Sequence, residues 1–266
     1  MQHNTHEAAR LLWACRQQGT VIDALPDALR PQDKAAGHAI QAALPVVARQ
    51  AVVGWKIAAT SAAGQAHIQV DGPLAGRILP GFVHPMGATL SLQGNRMRVV
   101  EPEFAFRIGT DLPPRATPYT VQEVMAATAS LHPAFELPDS RFEPFTRAGQ
   151  AQLIADNACC GRFAFGLAAP DAWRGIDLAA HPVHATVLGA DGAVRTQREG
   201  AGRALLGDPR TALTWLANEL SGLGIGLRAG DWASCGTCMV PLEIQPGDRV
   251  VADYGLLGQI EVSVGA

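Results

Sequence analysis

The sequence predicts an α+β protein in which a short helical segment precedes one β-rich domain. Within the first fifty residues, apolar side chains recur at helical spacing. From residue 51 onward, short apolar or alternating runs are separated by Gly, Pro, Asp and Asn, a texture typical of strands joined by turns. We therefore predict an N-terminal helical cap over residues 1–50 and a β-rich domain over residues 51–266 that together form a single structural unit.

The elements follow in order along the chain. Helices are predicted over residues 7–17 and 35–44, followed by strands over 52–58, 89–92 and 97–108. Thr120 and Glu123 form a capping box for a helix that should run to about residue 131, and Asp208 with Pro209 should start another. Further strands are expected over 133–137, 162–167, 184–188, 193–197, 240–244, 249–253 and 259–264.

Composition excludes several classes of protein. Of the 266 residues, 48% are hydrophobic and 17% charged, which excludes a disordered chain. A net charge of -3 offers no basic surface for nucleic acid, so a small-molecule partner is favoured. We find no signal peptide, and no apolar run reaches the roughly 20 residues of a membrane span. Five cysteines, an odd number spread over a long chain, favour the reducing cytoplasm.

The segment around Glu101 and Glu103 indicates a site of function. Side chains two apart on a strand share a face, so these carboxylates should lie about 6–7 Å apart among apolar neighbours. Two carboxylates on a covered face repel each other unless a cation lies between them. The alternative is a solvent-facing strand with two exposed glutamates.

Glu136 supplies a third carboxylate from an otherwise apolar strand. The alternative is an ion pair with Arg141 or another arginine. Three hard oxygen ligands suit Mg²⁺ or Mn²⁺ and leave positions of an octahedron for substrate and water. A 2-oxo acid offers two oxygens to such an ion, so we predict a metal site for a small 2-oxo acid at Glu101, Glu103 and Glu136.

Lys56 is a lysine inside an apolar strand. A buried ammonium needs anionic partners, which a carboxylate-rich site would supply. There it could hold a substrate carboxylate or move protons; the alternative is a strand-edge lysine that reaches solvent. The Cys235–Cys238 pair in a C-x-x-C pattern lacks the second ligand pair of a zinc site, so we assign it no function.

These segments together resemble the 2-keto-4-pentenoate hydratase and 4-oxalocrotonate decarboxylase family, a branch of the fumarylacetoacetate hydrolase superfamily. The matching stretches are Gly54-Trp55-Lys56-Ile57 with Thr60-Ser61, Val70-Asp71-Gly72-Pro73 with Gly76, Val100-Glu101-Pro102-Glu103-Phe104-Ala105-Phe106, Phe135-Glu136-Leu137-Pro138-Asp139-Ser140-Arg141, Ala155-Asp156-Asn157, Leu206-Gly207-Asp208-Pro209, Trp215-Leu216-Ala217-Asn218, Ala229-Gly230-Asp231 and Pro246-Gly247-Asp248. They cover the chain from about residue 35 to the C-terminus.

The resemblance implies a rolled mixed β-sheet, as in fumarylacetoacetate hydrolase, with an N-terminal helical cap. It implies Mg²⁺ or Mn²⁺ at the three matching glutamates, Lys56 as the active-site lysine and self-association into a homo-oligomer. It also implies a lyase of aromatic meta-cleavage catabolism that hydrates a 2-hydroxy-2,4-dienoate, or its 2-oxo-enoate tautomer, to a 4-hydroxy-2-oxo acid. The alternative reaction is decarboxylation of 2-oxo-3-hexenedioate.

The remaining site residues lie in or beside the matching stretches. We assign Asp139 to proton transfer with Lys56, and Ser61, Asp71 and Asn157 to substrate binding. Leu74 departs from the family pattern, because hydratases often carry an acid at this position, just after the matching proline. A rival of another class is therefore a non-catalytic subunit that binds a 2-oxo acid or serves as a partner.

Overall fold

The computed structural model describes residues 2–266, and their side chains from residue 4 onward. Its helices are α1 (Gln2–Gln18), α2 (Lys34–Ala48), α3 (Ala62–Ile68), α4 (Val121–Ala126), α5 (Gln150–Ala155) and α6 (Pro209–Gly222). None of the helices within this part of the chain is long and apolar enough to cross a membrane. The two longest helices, α1 and α2, come first, in agreement with the helical periodicity of the N-terminal segment.

The strands form two sheets. In chain order they are β1 (Gly54–Ala58), β2 (Leu74–Ile78), β3 (Val83–Pro85), β4 (Thr89–Ser91), β5 (Val99–Ile108), β6 (Thr128–Leu137), β7 (Arg162–Phe165), β8 (Pro182–Leu188), β9 (Val194–Ala201), β10 (Trp232–Thr237), β11 (Leu242–Glu243), β12 (Arg249–Asp253) and β13 (Gln259–Gly265). The larger, mixed sheet has the order β2-β1-β10-β5-β6-β7-β3, with β11 paired to β5. The smaller has the order β4-β13-β12-β8-β9.

The larger sheet is curled rather than flat. Strands β10 and β7 are separated by β5 and β6, which in a flat sheet would put them about 14 Å apart. The rings of Trp232 on β10 and Phe165 on β7 nevertheless stack with their centroids 4.0 Å apart. The sheet therefore rolls around an interior, and the α+β fold class with a rolled mixed sheet is confirmed.

The N-terminal helices share a core with the rest of the molecule. Leu12 of α1 and Ile40 of α2 belong to the same buried cluster as Leu74 at the start of β2 and Leu153 of α5. The Asp33 side chain caps α2 by accepting from the backbone N–H of Ala36. The boundary near residue 50 stays a prediction, because the helices and strands on its two sides bury one apolar cluster together.

Several elements differ from the sequence expectations. The capping box of Thr120 and Glu123 is present, but α4 ends at Ala126 instead of near residue 131, because β6 already begins at Thr128. Strands β2, β3 and β10 and helices α3 and α5 have no counterpart among the predicted elements. Gly236 lies in β10, and glycine is uncommon inside strands, but pairing with β5 holds this segment in the sheet.

Candidate metal centre

The pairing of β5 with β6 brings the three glutamates together. Glu101 lies directly opposite Glu136 in the antiparallel register, and Glu103 follows two residues later on the same face. One carboxylate oxygen from each residue lies within 4.8 Å of the others. The three side chains thus converge from two neighbouring strands on one point inside the rolled sheet.

The three carboxylates are withdrawn from water. Glu103 and Glu136 are fully buried, and Glu101 is partly buried. The Ser234 hydroxyl and the Gly236 backbone N–H both donate to Glu103 Oε2. Glu103 Oε1 is buried without a hydrogen-bond partner among the described residues, although buried polar atoms are rarely left unpaired. This orphaned oxygen is free to bind a cation.

The electrostatics of the cluster point the same way. Burial and then the neighbouring Glu136 raise the pKa of Glu101 from 4.5 to about 7, although Lys56 lowers it. Burial, together with Glu136 and Glu101, raises the pKa of Glu103 well above its ordinary value. Carboxylates this close repel one another when all are ionised, and a divalent cation between them removes that repulsion. Three hard oxygen donors fit a divalent metal.

Lys56 completes the cluster from β1. Its ammonium lies 3.1 Å from Glu136 Oε2 and donates to the backbone carbonyl of Ala158 at 3.0 Å. The side chain is 2% exposed, so it does not reach solvent as a strand-edge lysine would. Burial lowers the pKa of Lys56, but Glu136, Glu101 and Glu103 raise it by more, so the ammonium stays charged.

A left-handed turn holds the carbonyl that faces Lys56. Asn157, Ala158 and Cys159 all have positive φ, at 61°, 54° and 57°. Such a run is costly for residues with a Cβ, so surrounding contacts must enforce it. The Asn157 amide accepts from the Arg77 N–H at 2.7 Å and donates to the Arg77 carbonyl at 2.8 Å. Asn157 therefore fastens the turn to β2.

Two glycines allow backbone to approach the cluster. A Cβ on Gly76 of β2 would lie 2.6 Å from the Asn157 carbonyl oxygen and 3.0 Å from Lys56 Cγ. A Cβ on Gly161 would lie 1.7 Å from the Leu137 carbonyl oxygen, so only glycine fits there. This approach lets the Gly161 N–H donate to Glu136 Oε1 at 2.9 Å.

Asp139 is buried, but its carboxylate is already engaged. It forms an ion pair with Arg141 and accepts from the backbone N–H of Arg96 at 2.8 Å. Its own N–H donates to the Cys159 carbonyl. These contacts tie the end of β6 to the left-handed turn and to the loop before β5, and they leave the proton-transfer role of Asp139 a prediction.

The other sequence-predicted residues lie outside the carboxylate cluster. Ser61 caps α3, where its hydroxyl accepts from the Gly64 N–H at 3.1 Å. Asp71 is exposed and accepts from Lys34 and Gln150. Among the described residues, no recorded contact joins either of them to the three glutamates. Leu74 is buried in the core shared with the N-terminal helices.

Four groups that hold the glutamates and Lys56 in place were not singled out in the sequence analysis. They are the Ser234 and Gly236 donors to Glu103, the Gly161 donor to Glu136 and the Ala158 acceptor of Lys56. Two of the four contacts are made by backbone N–H groups and one by a backbone carbonyl. Because every residue carries such groups, residue types do not predict these contacts. The C-x-x-C segment contained Gly236, but its thiols are free and buried.

Sequence comparison gives relatives over most of the chain. A 2-keto-4-pentenoate hydratase of Paraburkholderia xenovorans (strain LB400) is 32% identical over 246 residues, 91% of this chain and 88% of the relative. A 4-oxalocrotonate decarboxylase of Pseudomonas sp. (strain CF600) is 30% identical over 203 residues, 76% of this chain and 74% of that protein. No protein-family model matches the chain.

Solved structures agree with the fold. The 4-oxalocrotonate decarboxylase from Pseudomonas putida G7, complexed with magnesium and adipate, has a TM-score of 0.85 at 24% identity. The match covers 99% of this chain and 98% of that one. The chain belongs to the 2-keto-4-pentenoate hydratase and 4-oxalocrotonate decarboxylase family. It is accordingly a lyase that acts on a small molecule.

Proposed function

We propose that this chain is a divalent-metal-dependent hydratase that adds water to a 2-hydroxy-2,4-dienoate, through its 2-oxo-enoate tautomer, to give a 4-hydroxy-2-oxo acid. The observation that carries the proposal is the convergence of Glu101, Glu103 and Glu136 beside the buried ammonium of Lys56. The relatives named as hydratases of 2-keto-4-pentenoate and 2-hydroxyhexa-2,4-dienoate support this substrate class.

The three glutamates would hold Mg²⁺ or Mn²⁺, with Glu103 Oε1 as an already desolvated ligand. When bound, the ion would supply positive charge next to the carboxylate and C2 oxygen of the substrate, where negative charge develops. Ser234 and Gly236 fix the orientation of Glu103, and Gly161 fixes that of Glu136. The cluster therefore needs little rearrangement to receive the substrate.

Lys56 would act on the substrate as a cation and a proton donor. Its ammonium has three N–H donors, of which one goes to the Ala158 carbonyl, and it forms an ion pair with Glu136. A remaining donor is available to the C2 oxygen or C1 carboxylate of a bound 2-oxo acid. Lys56 would give a proton to C5 of the dienoate and take up the proton that the C2 hydroxyl loses, so that the ammonium is restored when the 2-oxo form is generated.

The second candidate reaction is decarboxylation of 2-oxo-3-hexenedioate, and one observation favours it. Hydratases of the family often carry an acid at the position of Leu74, whereas Leu74 is 2% exposed in an apolar core and cannot activate water. The relative named 4-oxalocrotonate decarboxylase is consistent with this reaction. The same metal ligands and Lys56 would serve it, since both reactions place charge on the C2 oxygen.

The test follows the ultraviolet absorbance of 2-hydroxypenta-2,4-dienoate, with CO₂ release from 2-oxo-3-hexenedioate measured in parallel. We expect loss of the dienoate absorbance with Mg²⁺ or Mn²⁺ and none after chelation. The Glu103→Gln variant should lose more than about 100-fold in metal affinity, beyond the 10–100-fold typical of residues outside the ligand set. Glu261→Gln, which alters an exposed strand pair, serves as the control.

CO₂ release without hydration would select the decarboxylase. A chain that holds no metal and turns over neither substrate would instead be the non-catalytic subunit, and the hydratase proposal would be withdrawn. Metal content of the purified protein distinguishes these cases before any kinetics.

We also propose that the chain forms a cytoplasmic homo-oligomer, as the family resemblance implies. Light scattering on the full chain would test the oligomeric state.

A further inference from the structure

A buried arginine lies on the opposite face of the sheet from the metal centre. Arg77 follows Gly76 on β2, and its register partner Trp55 precedes Lys56 on β1. Because successive side chains of a strand point to opposite faces, Arg77 and Trp55 face away from Lys56. The Arg77 guanidinium stacks on the Trp55 ring, 4.5 Å from its centroid.

The Arg77 guanidinium has no anionic partner among the described side chains. Arg77 is 9% exposed, and its Nε is buried without a hydrogen-bond partner. By contrast, the similarly buried Arg141 forms an ion pair with Asp139. A buried charge without a counter-charge is costly, and stacking on an aromatic ring offsets only part of the cost. Burial lowers the pKa of Arg77 to about 10, which still leaves the guanidinium protonated at neutral pH.

Arg77 lines a cleft with a volume of about 680 Å³. The other walls come from Ala42 of α2, the loop after β5 with Asp111 and Pro113, and the loop after α6 that ends at Arg228. Arg228 is exposed and adds a second cation to the wall. The Asp111 carboxylate accepts from the Ala229 N–H at 2.7 Å and makes no ion pair with Arg77.

We propose that this cleft binds a small organic anion whose carboxylate or phosphate oxygens accept hydrogen bonds from Arg77. The guanidinium presents a planar fork of donors that matches such oxygens in pairs. The cleft volume falls in the range of about 300–1,000 Å³ typical of small-molecule sites, whereas a second protein copy needs a broad surface. The site is independent of the metal centre and of the proposed reaction.

Isothermal titration calorimetry on the full chain tests the proposal, with succinate in one arm and inorganic phosphate in the other. Both arms are run on the Mg²⁺-loaded protein and after metal removal with a chelating resin. Binding in the cleft should persist without metal, whereas a 2-oxo acid at the metal centre should not. Comparing the affinity for succinate with the affinity for inorganic phosphate also distinguishes a carboxylate ligand from a phosphate ligand.

Three variants identify the contact. Arg77→Met should weaken binding about tenfold or more through loss of a charge-assisted pair, and Arg77→Lys should weaken it less because the charge remains. Arg107→Met is the matched control, since Arg107 also stacks on a tryptophan, Trp232, at 4.6 Å on the other face. It should retain the affinity of the parent protein.

Stability gives a second readout. Because Arg77 makes no ion pair, Arg77→Met without anion should melt at or above the temperature of the parent protein, and its melting temperature should no longer rise with added anion. Equal anion affinity in Arg77→Met, or no saturable binding of either anion by the parent protein, would overturn the proposal. A smaller assembly for Arg77→Met by light scattering would overturn it too, because a second copy would then occupy the cleft.

Discussion

At the scale of single residues, the contribution of a side chain to stability depends on its burial and its partners more than on its residue type. Lys34 and Lys56 are the only lysines of the chain, yet their surroundings differ completely. Lys34 forms an exposed ion pair with Asp71, and Lys56 forms a buried one with Glu136. An exposed pair is screened by water, whereas a buried carboxylate that loses its cation remains desolvated. The same substitution should therefore change stability far more at Lys56 than at Lys34.

Lys56→Met should abolish turnover and destabilise the metal-free protein by about 3–5 kcal/mol, the cost of breaking a buried ion pair. Denaturant unfolding and the hydration assay measure the two effects. Lys34→Met is the control and should change stability by less than about 1 kcal/mol. Wild-type turnover in Lys56→Met would remove this residue from the mechanism.

At the scale of elements, the regular strands set the positions of the glutamates and Lys56, and short irregular segments supply the hydrogen bonds that orient these side chains. Strands β5 and β6 set the positions of the glutamates by register, but the left-handed turn at residues 157–159 supplies the acceptor of Lys56. That turn is fixed by the two hydrogen bonds between the Asn157 amide and the backbone of Arg77. Removal of the amide should free the turn to relax.

Asn157→Ala should lower the free energy of unfolding by about 1–3 kcal/mol, since it leaves the buried Arg77 N–H unpaired and leaves the Arg77 carbonyl with the weak thiol donor of Cys160. It should also lower kcat, because the Ala158 carbonyl would no longer orient Lys56. The chain offers a matched control: the Asn218 amide makes the same pair of hydrogen bonds with the backbone of Tyr119. Asn218→Ala should cost stability without an effect on kcat, and an equal loss of kcat in both variants would contradict a positioning role for Asn157.

At the scale of the whole molecule, the carboxylate cluster should make the stability of the folded protein depend on pH and on a bound divalent metal. The pKa of Glu101 is raised from 4.5 to about 7, and that of Glu103 is raised well above its ordinary value, because burial and mutual repulsion disfavour their charged forms. A raised pKa in the folded state means that folding favours proton binding. This contribution to stability is fully present below the unfolded pKa of 4.5 and is lost as pH rises through about 7.

The metal-free protein should therefore show a falling melting temperature between about pH 5 and pH 8. A bound cation requires ionised carboxylates, so Mg²⁺ should raise the melting temperature most at the upper end of this range. Thermal melts with and without Mg²⁺ measure both effects, and Glu103→Gln should flatten the metal-free slope. A metal-free melting temperature that rises with pH would contradict this account of the cluster.

The sequence predicted the fold class and the charged residues of the carboxylate cluster because both predictions depend on local sequence patterns. Glu101 and Glu103 share a strand face by their spacing alone, and Lys56 and Glu136 each interrupt an apolar run. The roles predicted for Asp139, Ser61 and Asn157 came from the stretches that resemble the family. Their hydrogen-bond partners in the structure are Arg141, Gly64 and Arg77, and the last of these lies 80 residues away.

The sequence by itself determined which residues carry charge into apolar strands, because the periodicity of a strand and the cost of burying charge act locally. Only the tertiary structure decided that Glu136 lies opposite Glu101, that Lys56 reaches them from β1, and that Arg77 is left without a counter-charge. The pairing of strands distant in sequence fixes these contacts. That pairing is made by backbone N–H and C=O groups, which are the same in every residue apart from the N–H that proline lacks, so the side chains do not reveal which strands pair.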